Sequence, residues 1–475
     1  MRRLSLRLHS LVAALALTTL ASACAHTTIT GPRVATEPFL DTLQSRTFDF
    51  FWQQTRPTTG LTPDRWPTKS FSSIAAVGFA LAAYPIGVER GYVTRSQAAD
   101  RTLTTLRWFY RAPQGADAVG MTGDMGFFYH FLDMDTGARF QTVELSTIDT
   151  SLLLGGVLFC REYFDQANDT EASIRAYADS LYLRVDWTQA TTAQTAPRIS
   201  MGYSPEHGGL PYSYNGYNEA MLLYVLALGS PTHPIDAGAW SAYTSTYTWA
   251  SFEGQEHVNF APLFGHQYSQ MFIDFRGIQD PFMKSHGIDY FENSKRATIS
   301  QRNYAIANPS GYRDYSADVW GLTASDGPSD TTLTIGGRTR QFFTYRARGA
   351  AANEIADDGT IAPTAAGGSI AFTPDFSIAA LKAMRVKYGN ELFQQYGFLD
   401  SFNPTFTDAG AARMGRVVPA IGWVDNDYLG IDQGPILGMI ENYRTGLIWK
   451  YMRKSPYVRR GLERAGFTGG WLATP

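Results

Sequence analysis

The sequence predicts an all-α fold: an (α/α)6 toroid of six inner and six outer helices, with β-hairpin insertions in the loops at one rim. Three observations carry this. Helical segments that are amphipathic and fairly polar alternate with segments that are apolar on nearly every face. A helix apolar all round is buried all round, so the two kinds form an outer and an inner layer. Short returns make successive helices antiparallel, so the inner helices all point one way. The long loops are the ones that lead into the apolar helices, which gathers them at one rim, where function usually sits.

The outer helices are read at 38–55, 95–111, 170–188, 237–250, 286–305 and 390–397. The inner ones are read at 72–83, 147–164, 218–228, 268–275, 376–384 and 433–452. The first rim loop holds Pro63-Asp64-Arg65-Trp66. Residues 121–143 read as a hairpin turning at Asp135-Thr136-Gly137. Residues 199–217 carry Glu206 and His207, and residues 252–267 carry Glu253, Glu256, His257 and His266. The longest insertion, 308–374, contains a strand-like pair around Gly336-Gly337. Residues 399–432 carry Trp423, Asp425, Asp427 and Asp432. No linker follows residue 36, so 37–475 is read as a single catalytic domain.

The chain has 475 residues, 44% hydrophobic and 14% aromatic, ample for a large core. Charged residues are 17% and the formal net charge is −3, which argues against nucleic acid as a partner. Arg2, Arg3 and Arg7 precede an apolar stretch, Leu11 to Leu20, and then the small residues Ala21-Ser22-Ala23. Residues 1–24 therefore read as a secretory signal. Cys24 follows directly, and the segment resembles a bacterial lipobox with Ala21 where Leu is usual. Lipoprotein processing at Cys24 is the expectation, with plain cleavage after Ala23 as the alternative. A lipid there would be the one membrane attachment, in the periplasm or on the outer membrane. Residues 25–36 would be a short tether. The other cysteine, Cys160, lies in an apolar run and reads as a small buried hydrophobe.

Carboxylates stand where rim loops enter inner helices: Glu144 and Asp149, Glu219, then Asp425, Asp427 and Asp432. Ser146-Thr147-Ile148-Asp149 matches a capping box with Asp in place of Glu, which leans Asp149 toward structure. Asp432 precedes Gln433-Gly434-Pro435 and is a candidate N-cap that can also face the pocket. Glu219 is read in the first turn of a helix buried on all sides, where an acid is costly unless used. Burial raises its pKa, as a general acid needs. Glu144 has no capping duty.

Glycosidic bond cleavage needs two carboxyl groups flanking the bond. Tyr214, Tyr217, Trp423 and Tyr428 are candidate platforms for sugar rings. Asp133, Arg139, Asn215 and His266 are further candidate contacts from the rim loops. Asp133-Met134-Asp135-Thr136-Gly137 with Glu144 at the twelfth place is similar to a calcium loop, but its glycine is one position early and amphipathic flanking helices are missing. No metal and no cofactor are assigned.

Three strings are longer and more specific: Glu144 through the Gly-Gly pair at 155–156, Tyr214 through Pro234, and Ile431 through Gly446. They resemble the bacterial glucoamylase-like conserved domain to which glycoside hydrolase family 144 belongs, and the resemblance runs from about residue 38 to 465. It implies the (α/α)6 toroid and activity on β-1,2-glucan by an inverting mechanism, endo-acting or releasing sophorose. It further implies Glu219 as general acid, Asp432 (or Asp425 or Asp427) on the base side, and Glu144 lining the cleavage subsite. A β-linked glucan is the expected partner, bound by a monomer. Two alternatives are a glycan-binding lipoprotein without catalysis and a polysaccharide lyase. The acid-rich rim disfavours the lyase, since lyases need cations to neutralise uronic acids.

Overall fold

The computed structural model describes Glu37–Ala473. The expected signal at 1–24, Cys24 and the tether 25–36 lie outside the described residues.

Fifteen α-helices lie among the described residues: α1 (Pro38–Gln54), α2 (Ile74–Glu89), α3 (Arg95–Arg111), α4 (Thr147–Tyr163), α5 (Asp169–Leu183), α6 (Met221–Gly229), α7 (Gly238–Thr244), α8 (Tyr268–Phe272), α9 (Pro281–His286), α10 (Tyr290–Ala307), α11 (Pro363–Gly367), α12 (Pro374–Leu392), α13 (Gly430–Arg444), α14 (Leu447–Met452) and α15 (Pro456–Arg464). The fold is α-rich, with short strands between the helices. None of these helices is long and apolar enough to cross a membrane.

The apolar helices form the centre. Every residue of α6, α8 and α11 is buried, as are nearly all residues of α2, α4 and α13. α2 packs against both α4 and α13, α8 touches α4, α6 and α13, and α11 packs on α13. The α2–α4 crossing is very close because two glycines face each other there. A Cβ on Gly156 would stand 2.0 Å from the carbonyl oxygen of Gly78, and one on Gly78 would stand 2.3 Å from that of Leu152. The amphipathic helices lie outside: α1 on α2 and α13, α3 on α2 and α5, α5 on α4, and α12 on α11.

Short strands lead directly into three of the central helices: Ser72–Ser73 into α2, Leu145–Ser146 into α4 and Tyr428–Leu429 into α13. Leu145–Ser146 is the middle strand of a five-stranded sheet, between Phe127–Tyr129 and Gly202–Ser204. Tyr428–Leu429 pairs with Arg65–Trp66, which ties the loop before α13 to the loop before α2. These pairings hold the rim loops in register over the helix N-termini.

Several expected boundaries move. The inner helix expected at 376–384 is part of α12, whose apolar face is not buried all round: Phe376 is 37% exposed and Val386 84%. The fully buried helix in that part of the chain is α11, a five-residue segment of small side chains inside the long insertion. The outer helix expected at 390–397 is replaced by the end of α12 and a strand pair, Phe393–Gln394 with Gly397–Phe398. The helix expected over 237–250 stops at Thr244. The aromatic and extended residues beyond it form a hairpin, Trp249–Phe252 with Gln255–Val258, turning at Glu253 and Gly254 with φ of 46° and 79°. The segment 433–452 is divided by Gly446 at φ 68°.

Candidate active site

The antiparallel register Phe128↔Ser146 and Tyr129↔Leu145 brings the next residues, His130 and Glu144, opposite each other. The His130 amide donates to the Glu144 carbonyl at 2.9 Å, and His130 Nδ1 lies 2.8 Å from Glu144 Oε1. The other ring nitrogen lies 3.5 Å from Asp149 Oδ2. Ser146 caps α4, accepting from the Asp149 amide at 3.1 Å, and its hydroxyl donates to Asp149 Oδ2 at 2.5 Å. Asp149 thus serves the cap and also the imidazole.

Burial works against a charged His130, but Asp149 and Glu144 outweigh it and raise its pKa to about 9. Burial pushes the Glu144 carboxyl up, and the His130 hydrogen bond and charge bring it down below its usual range. At neutral pH this is an imidazolium paired with the Glu144 carboxylate, with Asp149 on its other side.

Glu219 stands beside this group, half-buried, in the turn before α6 rather than in its first turn. Ser269 of α8 clips that turn: its hydroxyl donates to the Glu219 carbonyl at 2.5 Å and accepts from the Leu222 amide at 2.8 Å. Asn218 supports the same turn, accepting from the Ala220 amide and the Tyr243 hydroxyl. Desolvation raises the Glu219 carboxyl, its own backbone amide partly opposes this, and Asp149 adds to the rise, for a pKa of about 7.

A second acidic group comes from the loops before α2 and α13 and from the long insertion. Asp326, Asp400 and Asp425 are buried with carboxylate oxygens within 4.8 Å of one another. Arg65 Nη1 donates to Asp326 Oδ2 at 2.6 Å, and its Nε to Asp64 Oδ2 at 3.2 Å. The Asp326 amide donates to Asp400 Oδ2 at 2.8 Å. Asp427 accepts from the Thr68 amide at 2.9 Å. Asp432 is the third residue of α13. Leu429, not Asp432, is the N-cap position, so the expected capping role of Asp432 is corrected, and its buried carboxyl meets that of Asp400 instead.

Burial and the neighbouring acids raise Asp425 and Asp432 well above the ordinary carboxylate range, and Asp400 to about 7. Like charges this close cannot all ionise, so the group retains protons at neutral pH. Three buried carboxylates are also the donor type of a hard-cation site, although Arg65 already occupies one of the oxygens.

Tyr268, at the start of α8, joins the two groups: after burial, Asp432, Tyr345, Glu219 and Asp149 all act on its hydroxyl and raise its pKa. Tyr345, from the long insertion, is likewise under the field of Asp432 and Asp400. Tyr268 is thus under the influence of acids from both groups, Glu219 and Asp149 from one and Asp432 from the other.

Other expected contacts are placed elsewhere. Tyr217 is buried in ring packing with Tyr247, His266 and Tyr290, and cannot present a face to sugar. Trp423 is fully buried against Phe342 and Phe406, donating to the Met414 carbonyl. Tyr428 packs among Phe50, Trp66 and Tyr396. Tyr214 is also buried, but its hydroxyl lies in the field of Glu219 and Asp149. His266 is a neutral core residue whose pKa burial lowers to about 3.

Arg139 spends its guanidinium on Glu206, at 2.6 and 2.9 Å, and on the Val143 carbonyl. Asp133 accepts from Asp135 and Thr136 within its own turn, and with Glu144 committed to His130 the calcium-loop pattern is not assembled. Asn215 is exposed on the rim. His130, Arg65, Asp326 and Asp400 were not among the expected site residues. Their one signal in the sequence is a place in long rim loops.

A family model described as putative glucoamylase matches residues 211–456, just over half of the chain. An exo β-1,2-glucooligosaccharide sophorohydrolase of Parabacteroides distasonis is 30% identical over 464 residues. That match covers 90% of this chain, and the chain spans 58% of the length of that relative. A crystal structure of a putative glucoamylase from Bacteroides uniformis has a TM-score of 0.76 at 32% identity, covering 91% of this chain and 98% of that one. The endo-β-1,2-glucanase of Chitinophaga pinensis, solved with sophorotriose and glucose, has a TM-score of 0.74 at 27% identity, covering 92% and 99%. Glu219 and the helix that delivers Asp432 both fall inside the matched stretch, and the chain belongs to the putative glucoamylase family.

Proposed function

We propose that this protein is a glycoside hydrolase that cleaves β-1,2-glucan, with Glu219 as general acid and Asp432 on the base side. The observation that carries the reading is a carboxyl raised to about 7 in the turn before α6, with a second group of acids, Asp432 among them, acting on the same Tyr268 hydroxyl. In the reaction, Glu219 gives its proton to the glycosidic oxygen as the C1–O bond breaks. A water attacks C1 from the other face, and its proton passes to the Asp432 group. Glu144, held ionised by His130, lines the subsite where positive charge develops on the sugar ring.

The names of the relatives support β-1,2-glucan as the substrate class and include both endo-cleavage and sophorose release. The mutual packing of α2, α4, α6, α8, α11 and α13 inside an outer set supports reading the helices as an (α/α)6 toroid with one active rim. We read the N-terminal segment as an export signal with lipid attachment at Cys24, which puts the enzyme outside the cytoplasm.

The test is incubation with linear β-1,2-glucan. New reducing ends are expected, and their absence sinks the reading. The first product seen by proton NMR should be the α-anomer, since inversion of a β-bond yields it; an initial β-anomer would replace inversion by retention.

A further inference from the structure

We propose that the cleft between residues 63–71 and the turn at 133–140 is a second sugar-binding stretch, which holds the glucan chain beyond the bond being cut. The cleft has a volume of about 890 Å³ and is lined by Trp66, Phe71 and Phe140 together with Gln54, Arg65 and Asp133, among others. That size lies within the range of small-molecule sites. The inference rests on the glucan reading of the adjoining acids.

Residues lining the cleft touch partners of both acidic groups. Arg65 lines it and donates to Asp326 at 2.6 Å, so one side chain separates the cleft from the Asp432 group. On the other side, Phe71 packs on Phe140 at 4.7 Å and on Phe131 at 4.1 Å between ring centroids. Phe131 in turn stacks on His130 at 3.9 Å, and His130 holds Glu144. A chain leaving the acids has this wall beside it.

The composition also fits a neutral sugar. Trp66, Phe71 and Phe140 are each half-buried, unlike the enclosed Tyr217, Trp423 and Tyr428. They offer ring surface to C–H faces, while Gln54, Lys69 and Asp133 offer hydrogen bonds to hydroxyl edges. Charges of both signs are mixed along the wall, and Arg56 pairs with Asp135 at 2.5 Å. This mixture suits an uncharged polyhydroxyl chain better than a polyanion. Trp66 is held in place by strand pairing with Tyr428 and by an edge-on contact with Tyr396 at 5.2 Å. It is therefore set before any ligand arrives, which lowers the ordering cost of binding.

The test compares Trp66→Ala and Phe140→Ala with the parent on long linear β-1,2-glucan and on the shortest oligosaccharide the parent cleaves. KM for the long chain should rise by about tenfold, on the scale of losing one ring contact, while kcat/KM on the shortest substrate changes less than about twofold. Equal kinetics with the parent on both substrates overturn the proposal, and so does a parallel fall on both. Binding is measured separately by calorimetry in a Glu219→Gln background, with linear β-1,2-glucan as titrant. A weaker Kd on adding either cleft variant supports the second stretch even if hydrolysis proves absent. Unchanged affinity, or no binding by the Glu219→Gln protein, overturns it. Melting temperatures within a few degrees of the parent, expected at least for Phe140→Ala on its exposed loop, keep a folding defect apart from the result.

Discussion

His130 and Glu144 are joined twice, once through the backbone at 2.9 Å and once through the side chains at 2.8 Å. The doubled link makes the position of the Glu144 carboxylate depend on a single imidazolium, which also reaches Asp149 at 3.5 Å. The chain of charges then ends at Glu219, on which Asp149 acts directly.

Replacing His130 by Gln is expected to cost about 1–3 kcal/mol at pH 6, because the partly buried Glu144 carboxylate and its neighbour Asp149 lose a charged partner. The folded pKa of His130, about 9, lies above its ordinary 6.5. Its contribution is therefore fully present below about pH 6.5 and is lost as pH rises through 9. Thermal melts of the parent and H130Q should differ most at pH 6 and converge above pH 9. A constant difference across that range would mean that His130 is held neutral.

Glu219→Gln should lower kcat by about 10²–10⁴-fold, the usual range for a general acid, with the fold retained. In the parent, activity should fall as pH rises through 7, because the acid form is consumed there. The raised pKa also predicts a stability effect. Below the ordinary 4.5 the parent bears no penalty for Glu219, and the penalty grows as pH rises through 7. E219Q should therefore match the parent in melting temperature near pH 4.5 and exceed it at pH 8. Reducing-end assays and melts across pH check both.

Asp432→Asn separates activity from stability within the second group. Asp432 lies among Asp400, Asp326 and Asp64, with Arg65 as the adjoining cation. Removing one ionisable acid from such a group relieves repulsion, so the variant should melt at or above the parent at pH 7. Its kcat should drop by about 10²–10⁴-fold if it receives the proton of the attacking water. Retained activity would move the base to Asp425 or Asp427.

Cys24→Ala tests the anchor. Expressed in a bacterial host and fractionated, the parent should pellet with membranes. The variant should be found in the soluble fraction, since a lipid chain is the attachment being removed. Equal distribution of the two would favour cleavage after Ala23.

The sequence made parts of this site readable because some of its chemistry is local. Glu144, Asp149, Glu219 and Asp432 stand next to long apolar runs, and an acid beside such a run is conspicuous. The runs also announce α2, α4, α6 and α13, whose burial is uniform along their length. The partners of those acids were not readable. Arg65 and Asp326 are 261 positions apart and meet through pairing of distant loops. His130 faces Glu144 by strand register, which a two-residue strand such as Leu145–Ser146 is too short to reveal. α11 was missed for another reason: Thr, Ala and Gly in five residues carry no periodicity. Aromatic residues misled in the opposite direction, since Tyr217 and Trp423 occur in loops yet pack as core.

Arg348 has no exposed surface, and it organises the insertion that carries Asp326. It pairs with Asp358 through two bonds at 2.8 and 2.9 Å, and donates to the carbonyls of Ser325, Phe343 and Thr344. Arg348→Met leaves the Asp358 charge buried without its partner, which typically costs about 3–5 kcal/mol. The loss should appear as a lower melting temperature together with lower activity, because the Ser325–Asp326 segment loses its support. Adding Asp358→Leu removes the stranded charge, so the double variant should recover part of the melting temperature. It should recover less of the activity, since the carbonyls that position Asp326 still lack their donor. If the double variant melts no higher than Arg348→Met, the ion pair is not what holds the insertion, and the backbone bonds from Arg348 alone account for the loss.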